Sequence, residues 1–250
     1  MKFHNRYING EDGRLVYNDI YRLGQEAFDE KHYADVYSVL VETFNRVAFN
    51  LKIILSELKS IGYVLNDESG LNFQKPLLAP LPNTDHLLIK LDNAVSDFGY
   101  VPVSLKLFYS IVGSCNLGWN YDKNPNLFWR CADPIQISSL NDVVSEVSDT
   151  DWKEYLIEVL EDDISQDPCL ELAADYFHKD NVSGGPPYSI QITKNKSIDS
   201  LFLNEAHNTT FIDYLRICME NCGFSRITDP QYKNDYQAFF EKVKPQLKSI

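Results

Sequence analysis

The chain has 250 residues, 36 acidic against 23 basic, a formal net charge of −13 and 44% hydrophobic residues. That is ordinary globular composition, so a disordered chain, a collagen-like fibre and a disulfide scaffold are excluded. The acidity argues against nucleic acid, whose phosphates are met by clustered Lys and Arg, and against docking on an anionic membrane.

The start, Met1-Lys2-Phe3-His4-Asn5-Arg6, leads into polar residues, and no stretch approaches the ~18 uninterrupted apolar residues of a spanning helix. The expectation is a cytoplasmic protein with no membrane partner. Five cysteines (Cys115, Cys131, Cys169, Cys218, Cys222) stand at irregular spacing. Cys218 and Cys222 are four apart, but no second Cys/His pair at zinc spacing follows, so reduced, mostly buried thiols and no metal are expected. The Asn-x-Ser/Thr triplets at Asn181, Asn195 and Asn208 carry no meaning without secretion.

A short helix is predicted from about Asn18 to Asp29. After it, Tyr33, Tyr37, Leu40, Phe44, Val47, Leu51, Ile54, Leu58 and Ile61 recur at steps of four and three. Such a seam predicts a helix of ~29 residues and ~43 Å. Val36, Val39, Val41, Ile53 and Leu55 widen its apolar arc beyond a coiled-coil seam, which favours packing against the rest of the chain over dimerisation.

Pro76, Pro80 and Pro82 make Leu71–Asn83 a connection. Residues 1–75 read as an N-terminal helical region and 76–250 as an α+β domain, the two either separate or continuous. A helix is predicted from Thr84 with Leu87, Leu88, Leu91, Val95 and Phe98 on one face, closed by Gly99. Another opens at Pro102, carries Leu105, Phe108, Tyr109 and Val112, and ends at Gly113. Strand-like pieces follow at Leu127–Cys131, Ile135–Ile137, Cys169–Leu172, Tyr188–Ile192 and Leu201–Leu203, the alternation in Tyr188–Ile192 implying one covered face. Phe211, Tyr214, Leu215 and Cys218 mark a helix capped by Thr209 or Asn208, and a last helix runs from Gln231 to Pro245. The fold class is α+β: a central, mostly antiparallel sheet flanked by helices, with the long N-terminal helix packed against it.

The charge is concentrated. Asp142–Asp167 holds ten acids against one base, Lys153, so 26 residues carry −9 of the −13. Trp152, Tyr155, Leu156, Val159 and Leu160 form an apolar stripe, which sends the acids to the opposite face. A solvated face is the usual fate of such a run. The sharper reading is a docking surface for a basic protein, formed by Glu154, Glu158, Glu161, Asp162 and Asp163 with Trp152 and Tyr155, and acting by electrostatic steering. The acids lack the spacing and glycine of an EF-hand.

The most unusual stretch runs from Asp175 through His178 and Asp180 to Gly184-Gly185-Pro186-Pro187. No Gly-Lys-Ser/Thr follows, so it is not a phosphate loop. His178 with Asp175 or Asp180 has the groups for acid–base chemistry, and His207 and Glu205 would complete a site if the fold brought them near. The plainer reading of each is a hydrogen-bonding strut. Without a nucleophile elbow, His-Glu-x-x-His or dinucleotide fingerprint, neither an enzyme nor a cofactor is expected. Aromatic residues, 13% of the chain, suit a protein-binding face and a core alike.

The segment Tyr100–Ser114 has Val101-Pro102, Leu105, Phe108-Tyr109 and Gly113 in a helix–Pro–Leu-x-x-Phe-Tyr–Gly order. It resembles the signature of the SUKH superfamily, which includes fungal cell-wall-assembly regulators and many bacterial toxin-immunity proteins. Ser114 replaces the family's second glycine. The His178–Gly185 stretch and Asn208-Thr209-Thr210-Phe211 through Tyr214-Leu215-Arg216 look like segments of an uncharacterised bacterial branch. The resemblance covers about Thr84 to Phe224. It implies an α+β domain without cofactor or catalysis that acts by binding, as an immunity protein sequesters a toxin, often a nuclease. A nuclease is basic where it meets nucleic acid, so an acidic face suits it. The alternative is a scaffold or regulatory protein that self-associates through the heptad helix.

Overall fold

The computed structural model describes residues 2–66, 75–120, 129, 131–162, 166–182, 184–227 and 233–250, the side chains of 233–235 excepted. Three helices open the chain: α1 (Phe3–Ile8), α2 (Gly13–Arg22) and α3 (Glu30–Ser60). The first was not predicted, and the second starts ahead of Asn18 because Asp12 caps it, accepting from Arg14 N at 2.9 Å. A 3₁₀ turn, Gly24–Phe28, replaces the expected final turn.

The long helix forms as its seam requires. Leu40, Phe44, Val47, Leu51, Ile54 and Leu58 are buried, and so are Val36 and Val39 beside them. Their partners lie in the same chain: Phe44 meets Phe108 edge-on at 6.3 Å. Thr43 Oγ1 lies 2.7 Å from the Tyr17 hydroxyl and 3.0 Å from that of Tyr7, tying α1 and α2 to α3. Asn50 exchanges two bonds of 2.8 Å with the backbone of Lys248, so the chain's last residues are fastened to the same helix. The seam that self-association would use is therefore taken up internally; Tyr33 and Tyr37 are the positions left open.

Strand β1 (Leu77–Leu78) lies inside the proline-rich connection, ahead of α4 (Thr84–Val95) and α5 (Val103–Leu107), which continues into a π-helical turn, Phe108–Val112. Next come β2 (Ser114–Asn116), β3 (Gln136–Ile137), α6 (Leu140–Val147), α7 (Thr150–Asp162) and β4 (Cys169–Ala173). The chain closes with α8 (Tyr176–Lys179), β5 (Tyr188–Gln191), β6 (Phe202–Leu203), α9 (Phe211–Glu220) and α10 (Lys233–Val243).

The class is α+β, as the order of elements implied, but the strands form two antiparallel three-stranded sheets, β1-β2-β3 and β4-β5-β6. Cys115 pairs with Leu77 on one side and Ile137 on the other; Ile190 pairs with Leu170 and Phe202. In place of one central sheet there are thus two small ones, with strands only two to five residues long. A backbone bond from Ser138 N to Leu172 O (2.7 Å) joins the two where they abut. Gly113 has φ +92°, and a Cβ there would land on the backbone oxygen of Leu78, so the turn into β2 requires glycine.

Two local readings are corrected. Thr210, not Thr209 or Asn208, occupies the N-cap of α9, because Thr209 is already held through its N and Oγ1 by Glu205 Oε1. Within the expected strand Leu127–Cys131, Trp129 and Cys131 are not in a strand, and the other three positions lie outside the described residues. Trp129 instead packs among Phe224 (5.0 Å), Tyr236 (5.5 Å) and Phe239 (5.5 Å), where area burial outweighs any β preference. Among the described residues, no helix is long and apolar enough to cross a membrane.

Candidate functional site

Most of the acidic run folds as α6 and α7. Ser139 caps α6 and Asp142 returns the bond, Ser139 Oγ donating to Asp142 Oδ2 at 2.6 Å. Along α7 the inward arc is Trp152, Leu156, Val159 and Leu160, with Trp152 packed edge-on against Phe98 at 5.8 Å. Trp152 thus serves attachment rather than the outer surface. Tyr155 does not belong to the buried stripe: it is 64% exposed. The helical period explains this, since Tyr155 falls beyond the edge of the arc, about a quarter of a turn from its centre.

Around the outer side, Asp151, Glu154, Glu158, Glu161 and Asp162 are all exposed. Helical periodicity sets them in one stripe with Tyr155 along one flank and Ile157, 40% exposed, along the other. The nearby base, Lys153, is held by Asp97 at 2.5 Å. Asp163 lies outside the described residues. The stripe is an acidic surface edged by two apolar side chains, a composition suited to a basic partner with apolar contacts at its margin.

The polar loop is brought together differently. Asp175 caps α8, its Oδ1 accepting from Phe177 N at 2.7 Å while its Oδ2 pairs with His178 Nδ1. Burial works to raise the Asp175 carboxyl, but the His178 ring and the two backbone N–H groups outweigh it and hold its pKa below the ordinary carboxylate range. A side chain on Gly184 would strike this carboxylate, which is why the loop returns through glycine. Asp180 is not turned to His178; its Oδ2 accepts from Cys131 N at 2.6 Å. Glu205 closes its own turn by accepting from His207 N (2.7 Å) and Thr209 N (2.6 Å). His207 Nε2 donates to Ser225 O at 2.9 Å. Each of these side chains is engaged locally as a strut. Among the described residues, no three His, Cys, Asp or Glu side chains converge on one point as a metal ion requires.

A cluster that no local pattern announced lies between these loops. Asp133, wholly buried, accepts from Lys179 Nζ at 2.6 Å, Tyr188 OH at 3.0 Å and Ser225 Oγ at 2.5 Å. The Lys179 ammonium also sits 4.5 Å above the Tyr188 ring. Burial, then the Asp133 charge, pushes the Tyr188 hydroxyl far above its ordinary pKa, so it stays a donor. With Asp180 on Cys131 N, the group clamps residues 131–133 between α8, β5 and the loop after α9. It is sequestered from solvent, which fits fastening rather than reaction.

The chain was compared with family models, curated proteins and solved structures, and none of them matches.

Proposed function

We propose that this protein is a non-enzymatic binding module of the SUKH-like, immunity type, which sequesters a basic, nuclease-like toxin through the outer face of α7. The observation that carries the reading is the stripe Asp151, Glu154, Glu158, Glu161 and Asp162, edged by Tyr155 and Ile157. A second feature of the same helix supports it. The last turn of α7 carries acids and no base, although a helix C-terminus repels negative charge by ~0.3–1 kcal/mol per group. A sequence that works against its own helix at an exposed position is expected where the surface is kept for a partner. The resemblance of Val101-Pro102 through Gly113 to the family signature points to the same class of activity. Within the polar loop, His178, Asp180, Glu205 and His207 are engaged as struts, which accords with binding rather than catalysis.

The test is a pull-down of the product of the neighbouring gene by the wild-type chain and by a triple variant, Glu158→Lys, Glu161→Lys, Asp162→Lys. Capture by the wild type and loss in the variant is the expected result. Capture that survives the reversal contradicts the electrostatic face, and no capture by either contradicts the immunity reading for that gene pair.

A further inference from the structure

After α10 and a 3₁₀ turn, Lys244–Gln246, the segment Leu247–Ile250 continues without helix or strand. Side chains of α3 and α9 hold its backbone. Asn50 Nδ2 donates to Lys248 O and Asn50 Oδ1 accepts from Lys248 N, both at 2.8 Å. Arg46 Nη1 donates to Ser249 O and Arg216 Nε to Ile250 O, both at 2.9 Å. Apart from the bond from Leu247 N to Lys244 O, no backbone-to-backbone bond among the described residues reaches the segment. Lys248 and Ser249 are exposed, whereas Ile250 is buried and Leu247 packs against the core. A Cβ on Gly13 of α2 would stand 2.9 Å from Ile250 O and 3.1 Å from the Tyr7 ring, so the glycine makes room for the segment.

We propose that this groove, between α2, α3 and α9, is a peptide-recognition site for an extended segment of another chain with the pattern Leu-x-x-Ile. Residues 247–250 are its resident and exchangeable occupant. The resident shows what the groove accepts. All four bonds from the walls go to main-chain atoms, so they fit any extended backbone. Asn50 meets the N–H and the carbonyl of one residue at once, using both ends of its amide. Selection comes from the first and fourth positions, the two whose side chains are covered.

The receiving side chains are set by contacts that do not involve the segment. Arg46 is held by Glu42 at 2.7 Å and lies over the Tyr7 ring at 4.3 Å. Arg216 is paired with Asp213 and lies over the Tyr17 ring at 5.4 Å. Tyr7 and Tyr17 are themselves joined through Thr43. Walls organised in advance lose little freedom when a segment arrives. Asn50 and Arg216 are buried, and a buried polar group without a partner is costly. Replacement of one backbone by another is therefore favoured over leaving the groove empty.

The experiment titrates a fluorescein-labelled peptide, Lys-Pro-Gln-Leu-Lys-Ser-Ile, into the full chain by fluorescence anisotropy. In Ile250→Asp the resident segment would have to bury a charge, and in Lys248→Pro it loses the N–H that Asn50 meets. Both variants are expected to bind the peptide with a dissociation constant of ~10⁻⁴ M. Wild type is expected to bind at least about tenfold more weakly, because its tethered segment competes at an effective concentration of about millimolar. Gly13→Ala, added to Ile250→Asp, is expected to weaken binding at least about tenfold, although alanine suits the helix better than glycine. A peptide ending in Asp in place of Ile is expected not to saturate, and Glu158→Lys to change nothing. Circular dichroism melts establish which variants are folded. Absence of saturation up to millimolar peptide in a folded Ile250→Asp or Lys248→Pro chain overturns the proposal. So does binding that is equal in wild type and the two variants, or indifferent to Gly13→Ala.

Discussion

Lys179 Nζ lies 2.6 Å from Asp133 Oδ1 with both side chains almost wholly removed from solvent, 2% and 0% exposed. Forty-six positions apart in sequence, the two form a buried ion pair that also gathers Tyr188 and Ser225. Taking either charge away leaves the other buried and uncompensated, which in such pairs costs about 3–5 kcal/mol. Asp133→Asn tolerates the positive φ of +57° at this position, so its effect isolates the charge. Urea denaturation of Asp133→Asn and Lys179→Met is expected to show losses of that order singly. The double variant is expected to lose much less than the two together, because no orphaned charge remains.

Gly113 is required by backbone geometry. A methyl group there meets the Leu78 carbonyl and must also be held at φ +92°. Gly113→Ala is expected to cost on the order of 3 kcal/mol. Gly185→Ala, where nothing lies within 4 Å of the added atom, should stay within about 0.5 kcal/mol. Thermal melts of the two variants side by side check this.

Glu171 on β4 and Glu146 on α6 reach solvent, yet the protein packed around them removes part of their hydration and raises both pKa values, that of Glu146 also through the charge of Glu171. A raised carboxyl pKa means the folded chain holds its proton longer than the unfolded one. Stability is therefore lost as pH rises from the unfolded value, about 4.3, through the folded value, and stays lost above it. Glu171→Gln is expected to melt higher than wild type at pH 7, the gain shrinking to nothing as pH falls below about 4. A gain that persists at acid pH would contradict the assignment.

Burial pushes the thiols of Cys115 and Cys222 up to about 12, and that of Cys218 well above its ordinary value. These three cannot supply thiolate near neutrality. Mass spectrometry after brief iodoacetamide treatment at pH 7.5 is expected to find them unmodified in the native chain and alkylated in guanidinium. Rapid native labelling at any of the three would show that its surroundings open readily.

The parts read most directly from sequence were those set by local period. The steps of four and three through Leu40, Phe44, Val47 and Leu51 specify α3 because burial of one face is a helix-wide requirement. The acidic stripe is likewise visible; of the two places the sequence allows Tyr155, beside Leu156 in the apolar stripe or on the docking surface with the acids, the exposed one is occupied, as its angular position on the helix requires. The clamp on Asp133 was not legible: its partners at 179, 188 and 225 come together only through tertiary folding, and no spacing encodes that. Tyr33 and Tyr37 misled in the opposite way. They occupy seam positions and so read as core, but the chain leaves a cleft open beside them.

At the C-terminal turn of α7, stability and binding are expected to part. Glu161→Lys with Asp162→Lys removes two acids that oppose the helix dipole and should stabilise the chain by up to ~1 kcal/mol, read as a raised melting temperature. The same pair of changes should weaken capture of the basic partner. A variant that binds unchanged would show that these acids serve solubility alone.

The central claim concerns the outer face of α7, and the association rate with the neighbouring-gene product as a function of ionic strength tests it most directly. For the wild type the account predicts a rate that falls at least about tenfold between low and high salt, because steering by clustered charge is screened. For Glu158→Lys, Glu161→Lys, Asp162→Lys it predicts a slow rate at low salt with little further loss. A wild-type rate indifferent to salt, or a reversal variant that associates as fast as wild type at low salt, would contradict it.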